Sequence, residues 1–256
     1  MTEYIEIENA LGNWKLPKAF CLQSVGGTWP GSKPAGVIGL LSNSRHLSEG
    51  RKVNPVVRAM VDFAGLTLES SQNVPVALLD VGSHVGSYSV FWSKIMSVMK
   101  FQHKIIAIEA GKQLIPCIDY NLRKNLDQHC VESRCINAAV TNHENCGKLL
   151  KFPMFSTSGE TLPGQFGLGD SAENYCEVPG MALDNFAIGQ CHILKIDCEG
   201  HDFEVIDGAS STFLVNHRPF ILFEVSEESN HHLTDFANLL AKNEYLMTPN
   251  PYWPFM

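Results

Sequence analysis

Val76–Met96 reads VALLDVGSHVGSYSVFWSKIM: a continuous apolar run that closes on Asp80, a turn with glycines at 82 and 86, and a helix pattern. The apolar run predicts a buried strand. Tyr88, Phe91, Trp92, Ile95 and Met99 recur at steps of three and four, which predicts a helix packed on that strand. Gly82 and Gly86 let the backbone turn tightly and let a ligand approach the main chain, while the helix N-terminus offers free N–H groups to a carboxylate or phosphate. A dinucleotide fingerprint would place glycines at 82, 84 and 87, but positions 84 and 87 hold His and Ser. The spacing argues against NAD.

The same alternation continues outward from this stretch. KIIAIEA (104–110) is a second strand, and QLIPCIDYNLRKNL (113–126) a second helix pattern on Leu114, Ile118, Leu122 and Leu126. CINAAV (135–140) reads as a third strand, KLLKFPMF and CEVPGMALDNF as extended pieces, and HILKID (192–197) as a further strand. A helix from Asp202 interrupted at Gly208, a strand in PFILFEV, a helix on Leu233, Phe236, Ala237 and Leu240, and a Pro-rich tail complete the chain. Apolar strands separated by amphipathic helices predict an α/β fold, a central mostly parallel sheet covered on both faces. Ligands of such sheets bind outside the carboxyl ends of the strands, near a topological switch point.

We divide the chain into an N-terminal arm or cap with a helix (1–74) and a main domain (75–256). Residues 1–52 read as an irregular extension. Asn54-Pro55 then opens a helix that Gly65 closes. The glycine-rich loop 156–175 reads either as a lid over an acceptor or as a decorated surface insertion.

Composition narrows the function classes. Of 256 residues 45% are hydrophobic and 18% charged, which predicts a folded domain with a sizeable core. The net charge is −8, with 27 acids against 19 Lys plus Arg, and no basic run appears. Phosphate neutralisation dominates nucleic-acid affinity, so a nucleic-acid partner is not expected. The N-terminus lacks a secretory pattern and no apolar run reaches membrane length, which gives the expectation of a cytoplasmic protein with no membrane partner. Eight cysteines without a CxxC pair read as reduced thiols. A homodimer is compatible with all of this.

The strand ends carry the candidate chemistry. Glu109 ends the second strand, where a carboxylate can accept two hydrogen bonds from a ribose diol. With Asp80 and the glycine turn it points to a nucleoside ligand. HILKIDCEGHDFE (192–204) then places Asp197, Glu199, His201, Asp202 and Glu204 where a further strand stops. Asp202 and Glu204 complement the positive end of the following helix; Asp197, Glu199 and His201 are the functional candidates. Lys195, inside the strand, is expected to reach a carboxylate or a carbonyl.

LLDVGSHVGSYS, IAIEA and MALDNF…ILKIDCEGHDFEVIDGA…RPFILFEV resemble the FkbM-type methyltransferases over about 75–226. That family's pattern is D-[VI]-G-A-N-x-G-x-Y, an acid at the second strand end, L-D, K-[IV]-D-x-E-G-x-E, G-A and R-P-x-x-x-x-E. Ser83-His84 stands where the family has Ala-Asn, and Asp202 where a Glu is common. The resemblance implies a Rossmann-like class I methyltransferase that uses S-adenosylmethionine, many relatives of which methylate hydroxyls of sugars or natural products. It implies that Asp80, Gly82 and Gly86, with Ser83 and His84 in the same turn, frame the methionine portion. Glu109 would hold the ribose, and Asp197 would stand beside the methyl donor.

Two chemistries then fit the acid cluster. In one, His201 is the base that accepts the proton of the acceptor hydroxyl, with Asp197 and Glu199 orienting the imidazole or the acceptor. In the other, Asp197, Glu199 and Glu224 are hard oxygen ligands for Mg²⁺ or Ca²⁺. The favoured acceptor is a small-molecule or glycosidic hydroxyl. Methylation of a peptide amide or amine, a non-catalytic cofactor-binding module and an NAD oxidoreductase are the alternatives.

Overall fold

The computed structural model describes residues 4–9, 12–17, 55–70, 74–153, 175–198, 200–223 and 233–247. Five strands form one parallel sheet: β3 (Val76–Val81), β4 (His103–Glu109), β5 (Cys130–Asn137), β9 (Ile193–Ile196) and β10 (Phe220–Phe223). Their order is β10-β9-β3-β4-β5. The chain builds outward from β3 to β5, then crosses back to lay β9 on the other side of β3. The direction of winding reverses between β3 and β9, so the crevice for a ligand opens at their carboxyl ends. This is the Rossmann-like α/β fold.

All six residues of β3 are buried, as a central strand covered on both faces requires. One face carries α1 (Pro55–Ser70), α2 (Ser87–Val98) and α3 (Ile115–Asn125); Met60, Ala64, Trp92, Met96, Ile118 and Leu122 pack on Val76, Leu78, Ile105, Ala107 and Ile193. The other face carries α4 (Asp202–Asp207), α5 (Phe213–His217) and α6 (Leu233–Lys242), whose Val205, Phe213, Leu214, Phe236 and Leu240 cover Leu79, Val81, Ile106, Leu194 and Ile196. Among the described residues no helix is long and apolar enough to cross a membrane, and the seven described cysteines are free thiols.

Three local expectations are corrected. Residues 4–9 and 12–17 are not irregular: β1 (Tyr4–Asn9) and β2 (Gly12–Pro17) pair antiparallel as a hairpin, anchored by the fully buried Trp14 against Phe91. Helix α1 runs through Gly65 to Ser70, because the burial of Thr67, whose hydroxyl donates to the Phe63 carbonyl, carries the packed face past the glycine. The segment 135–140 is split. Strand β5 begins at Cys130 and ends at Asn137, whose side-chain amide donates to the Glu109 and Ala110 carbonyls at 2.9 Å. Beyond it Ala139–Val140 (β6) joins a separate sheet of order β6-β8-β7, with β7 Leu149–Pro153 and β8 Tyr175–Met181. Of the glycine-rich loop 156–175, residues 156–174 lie outside the described residues.

Candidate active site

The site follows from strand register. Leu78 of β3 is level with Ile193 of β9, and Asp80 with Lys195; Asp80 is also level with Ala107 of β4. Side chains alternate faces along a strand. Residues 76, 78 and 80, then 105, 107 and 109, then 193, 195 and 197 therefore share the face under α1, α2 and α3. The column is apolar until its last layers, where Asp80, Lys195, Glu109 and Asp197 come together at the carboxyl ends.

Lys195 is the centre of this group. Its ammonium, buried with the strand, lies 3.1 Å from Asp80 Oδ1, 3.4 Å from Asp197 Oδ2 and 3.4 Å from the Gly82 carbonyl, and sits over the Tyr88 ring. Three N–H directions meet three acceptors. Burial alone would lower the Lys195 pKa, but Asp80 and Asp197 outweigh it and hold it above the ordinary lysine value. Asp80 is fully enclosed, its other oxygen accepting from Ser89 Oγ at 2.6 Å, so it acts on the site through Lys195. The Asp197 side chain is 32% exposed and is the acid of this pair that reaches the crevice.

The turn after β3 uses both glycines in left-handed conformations, φ 70° at Gly82 and 78° at Gly86. A Cβ on Gly82 would collide with the Asp197 carbonyl, so only glycine allows the β3 and β9 exits to close on each other. Beside it, the Ser83 hydroxyl is buried without a hydrogen-bond partner. Glu109 accepts the His84 N–H at 2.8 Å and the Gly111 N–H at 2.7 Å, one on each oxygen. Each oxygen keeps a lone pair free for a diol. Burial raises the Glu109 pKa from 4.5 to about 7 against those two donors. These open groups fit a polar nucleoside in the turn.

The two histidines fall in different surroundings. His84, at φ 55°, is pushed by burial down to about 4, with Asp197 raising and Lys195 further lowering it. His201 precedes α4; its Nε2 lies 3.1 Å from Thr141 Oγ1 and its Nδ1 3.5 Å from Glu204 Oε2. Burial lowers its pKa as well, opposed by Glu204. Asp202 Oδ1 accepts the Cys198 N–H at 3.3 Å, closing the turn, and burial raises its carboxyl to about 6. Glu199 and Glu224 lie outside the described residues. Among the described residues no group of three or more His, Cys, Asp or Glu side chains is placed to hold a metal ion.

The structure thus joins Asp80, Glu109, Asp197 and the glycine turn, and sets His201 against Thr141. Ser89 and Lys195 complete the site without having been proposed as site residues. Lys195 had a signal, its even spacing from Asp197 along the strand; Ser89 had none beyond its place on α2.

A family model described as the methyltransferase FkbM domain matches residues 80–246. No curated protein matches the chain. Among solved structures the chain is similar to a methyltransferase FkbM of Methylobacillus flagellatus KT, at 14% identity and TM-score 0.45, over 67% of this chain and 39% of that one. It is similar also to a precorrin-6y C5,15-methyltransferase of Geobacter metallireducens GS-15, at 17% identity and TM-score 0.36, over 71% and 70%. The chain spans less than half the length of the first of these.

Proposed function

This chain belongs to the FkbM methyltransferase family, and on that premise we propose that it transfers a methyl group from S-adenosylmethionine to a hydroxyl of a small acceptor, a sugar or a natural product. The observation that carries the reading is the convergence of Asp80, Glu109 and Asp197 on one sheet face at the switch point, beside a turn in which Gly82 leaves no room for a Cβ. Glu109 would take the ribose hydroxyls on its free lone pairs. Gly82, Ser83, His84 and Gly86 would line the remainder of the cofactor, with the unpartnered Ser83 hydroxyl as one contact. When bound, S-adenosylmethionine supplies an electrophilic methyl carbon.

The chain's own task is to align the acceptor and receive its proton. His201 is the proposed base, with Asp197 and Glu199 orienting it or the acceptor; burial lowers its pKa and so favours the neutral imidazole, the form that can accept a proton.

Calorimetric titration with S-adenosylhomocysteine and with NAD tests the cofactor. Tight binding of NAD alone defeats the reading. His201→Ala is expected to abolish turnover while keeping S-adenosylhomocysteine affinity. Normal turnover in that variant refutes the base assignment, and mass analysis of the product separates oxygen from nitrogen methylation.

A further inference from the structure

Asn121 of α3 is fully buried, and its side-chain amide has two sets of partners. Its Oδ1 accepts the Lys15 N–H at 2.6 Å, while its Nδ2 donates to the Lys15 carbonyl at 3.3 Å and to the Val85 carbonyl at 2.8 Å. Lys15 belongs to the N-terminal hairpin; Val85 immediately precedes Gly86 in the turn after β3. One amide therefore clasps both. Four residues on, Asn125 repeats the pattern with Asn13, accepting its N–H at 3.0 Å and donating to its carbonyl at 2.7 Å.

The spacing has a simple cause. Four helical residues advance about 6 Å and two strand residues about 6.6 Å, so asparagines at i and i+4 on α3 meet alternate residues of β2. The helix thereby stands in for a neighbouring strand along the free edge of the hairpin. Tyr4 adds a second attachment, its hydroxyl donating at 2.8 Å to the Gln113 carbonyl, four residues beyond Glu109. The hairpin is fastened to the exits of both β3 and β4.

We infer that the N-terminal hairpin is a strap that sets the cofactor turns, with Asn121 the positioning residue through which it acts on Val85 and Gly86. The inference rests on the reading that these turns hold the cofactor. Coupling between two sites is reciprocal: a docked hairpin favours cofactor binding, and bound cofactor favours hairpin docking.

The test uses the full-length chain and hydrogen exchange, with S-adenosylhomocysteine as probe. Asn125→Ala loosens the hairpin from a half-buried position, leaving Val85 and the Asn121 side-chain amide in place. It is expected to raise exchange at residues 4–17 and also at 83–86, and to weaken S-adenosylhomocysteine by at least about five-fold. Asn121→Ala is expected to exceed it in both respects. In the wild type, the probe is expected to slow exchange at residues 4–17, which a purely structural amide would not do. The inference is overturned if the probe binds and leaves the hairpin's exchange unchanged, or if Asn125→Ala leaves 83–86 as protected as before. Failure of the wild type to bind the probe defeats the cofactor reading instead, and exchange at 83–86 in Asn125→Ala still decides the strap.

Discussion

A Glu109→Gln substitution isolates the cost of burying one carboxylate at the ligand crevice. The Glu109 pKa stands at about 7 in the fold against an ordinary 4.5; at about 1.4 kcal/mol per pH unit this comes to about 3 kcal/mol. The folded pKa is raised, so the penalty is absent below pH 4.5, grows between pH 4.5 and 7, and is complete above. His84 works the opposite way in nearly the same window. Its pKa of about 4 against 6.5 makes folding less favourable below pH 4 and restores stability as pH rises to 6.5. The two oppose each other in the wild type, so its own pH profile does not isolate Glu109. The variant removes only one of them. Urea unfolding of both proteins from pH 4.5 to 8.5 should therefore show the stability of Glu109→Gln rising relative to wild type by about 3 kcal/mol across that range. A constant offset of about 1–3 kcal/mol is expected as well, because glutamine leaves one of the His84 and Gly111 N–H groups without an acceptor. Curves that run parallel within about 1 kcal/mol would refute the argument. The same variant should bind S-adenosylhomocysteine at least about ten-fold more weakly, through the loss of charge-assisted hydrogen bonds.

Lys195→Met strands the buried Asp80 carboxylate and should destabilise the protein by about 3–5 kcal/mol, with Asp80→Asn in the same chain returning most of it; a loss below about 1 kcal/mol in the single variant would contradict the pairing. Gly82→Ala forces a Cβ toward the Asp197 carbonyl at a left-handed φ of 70°; thermal unfolding should show a loss of at least about 1–3 kcal/mol, and calorimetry no S-adenosylhomocysteine binding. Dialysis against EDTA should leave methyl transfer unchanged, since the Lys195 ammonium already pairs with Asp197. Activity lost there and restored by Mg²⁺ would instead make Asp197 a metal ligand.

Much of the framework was legible from residue order alone, because burial on both faces forces parallel strands to be apolar and forces polar groups to their ends. Asp80, Glu109 and Asp197 each stand at or next to the carboxyl end of a strand, and the period of two along β3, β4 and β9 then puts them on one face once the strands are level. The glycines at 82 and 86 announced a turn, and both adopt the left-handed φ that glycine takes without strain. Local chemistry sufficed for these, since each depends on neighbours a few residues away.

Tertiary structure decided the partners. That Lys195 stands between Asp80 and Asp197, that His201 turns toward Thr141, and that Asn121 clasps Lys15 across 106 residues of chain are facts of which elements come to lie side by side. A side-chain amide bonded to a distant backbone leaves no period in a sequence, and a charge reports its counter-charge only when both have been brought out of water together. The order of residues therefore located the strand ends and their acids, while long-range packing determined which groups those acids face.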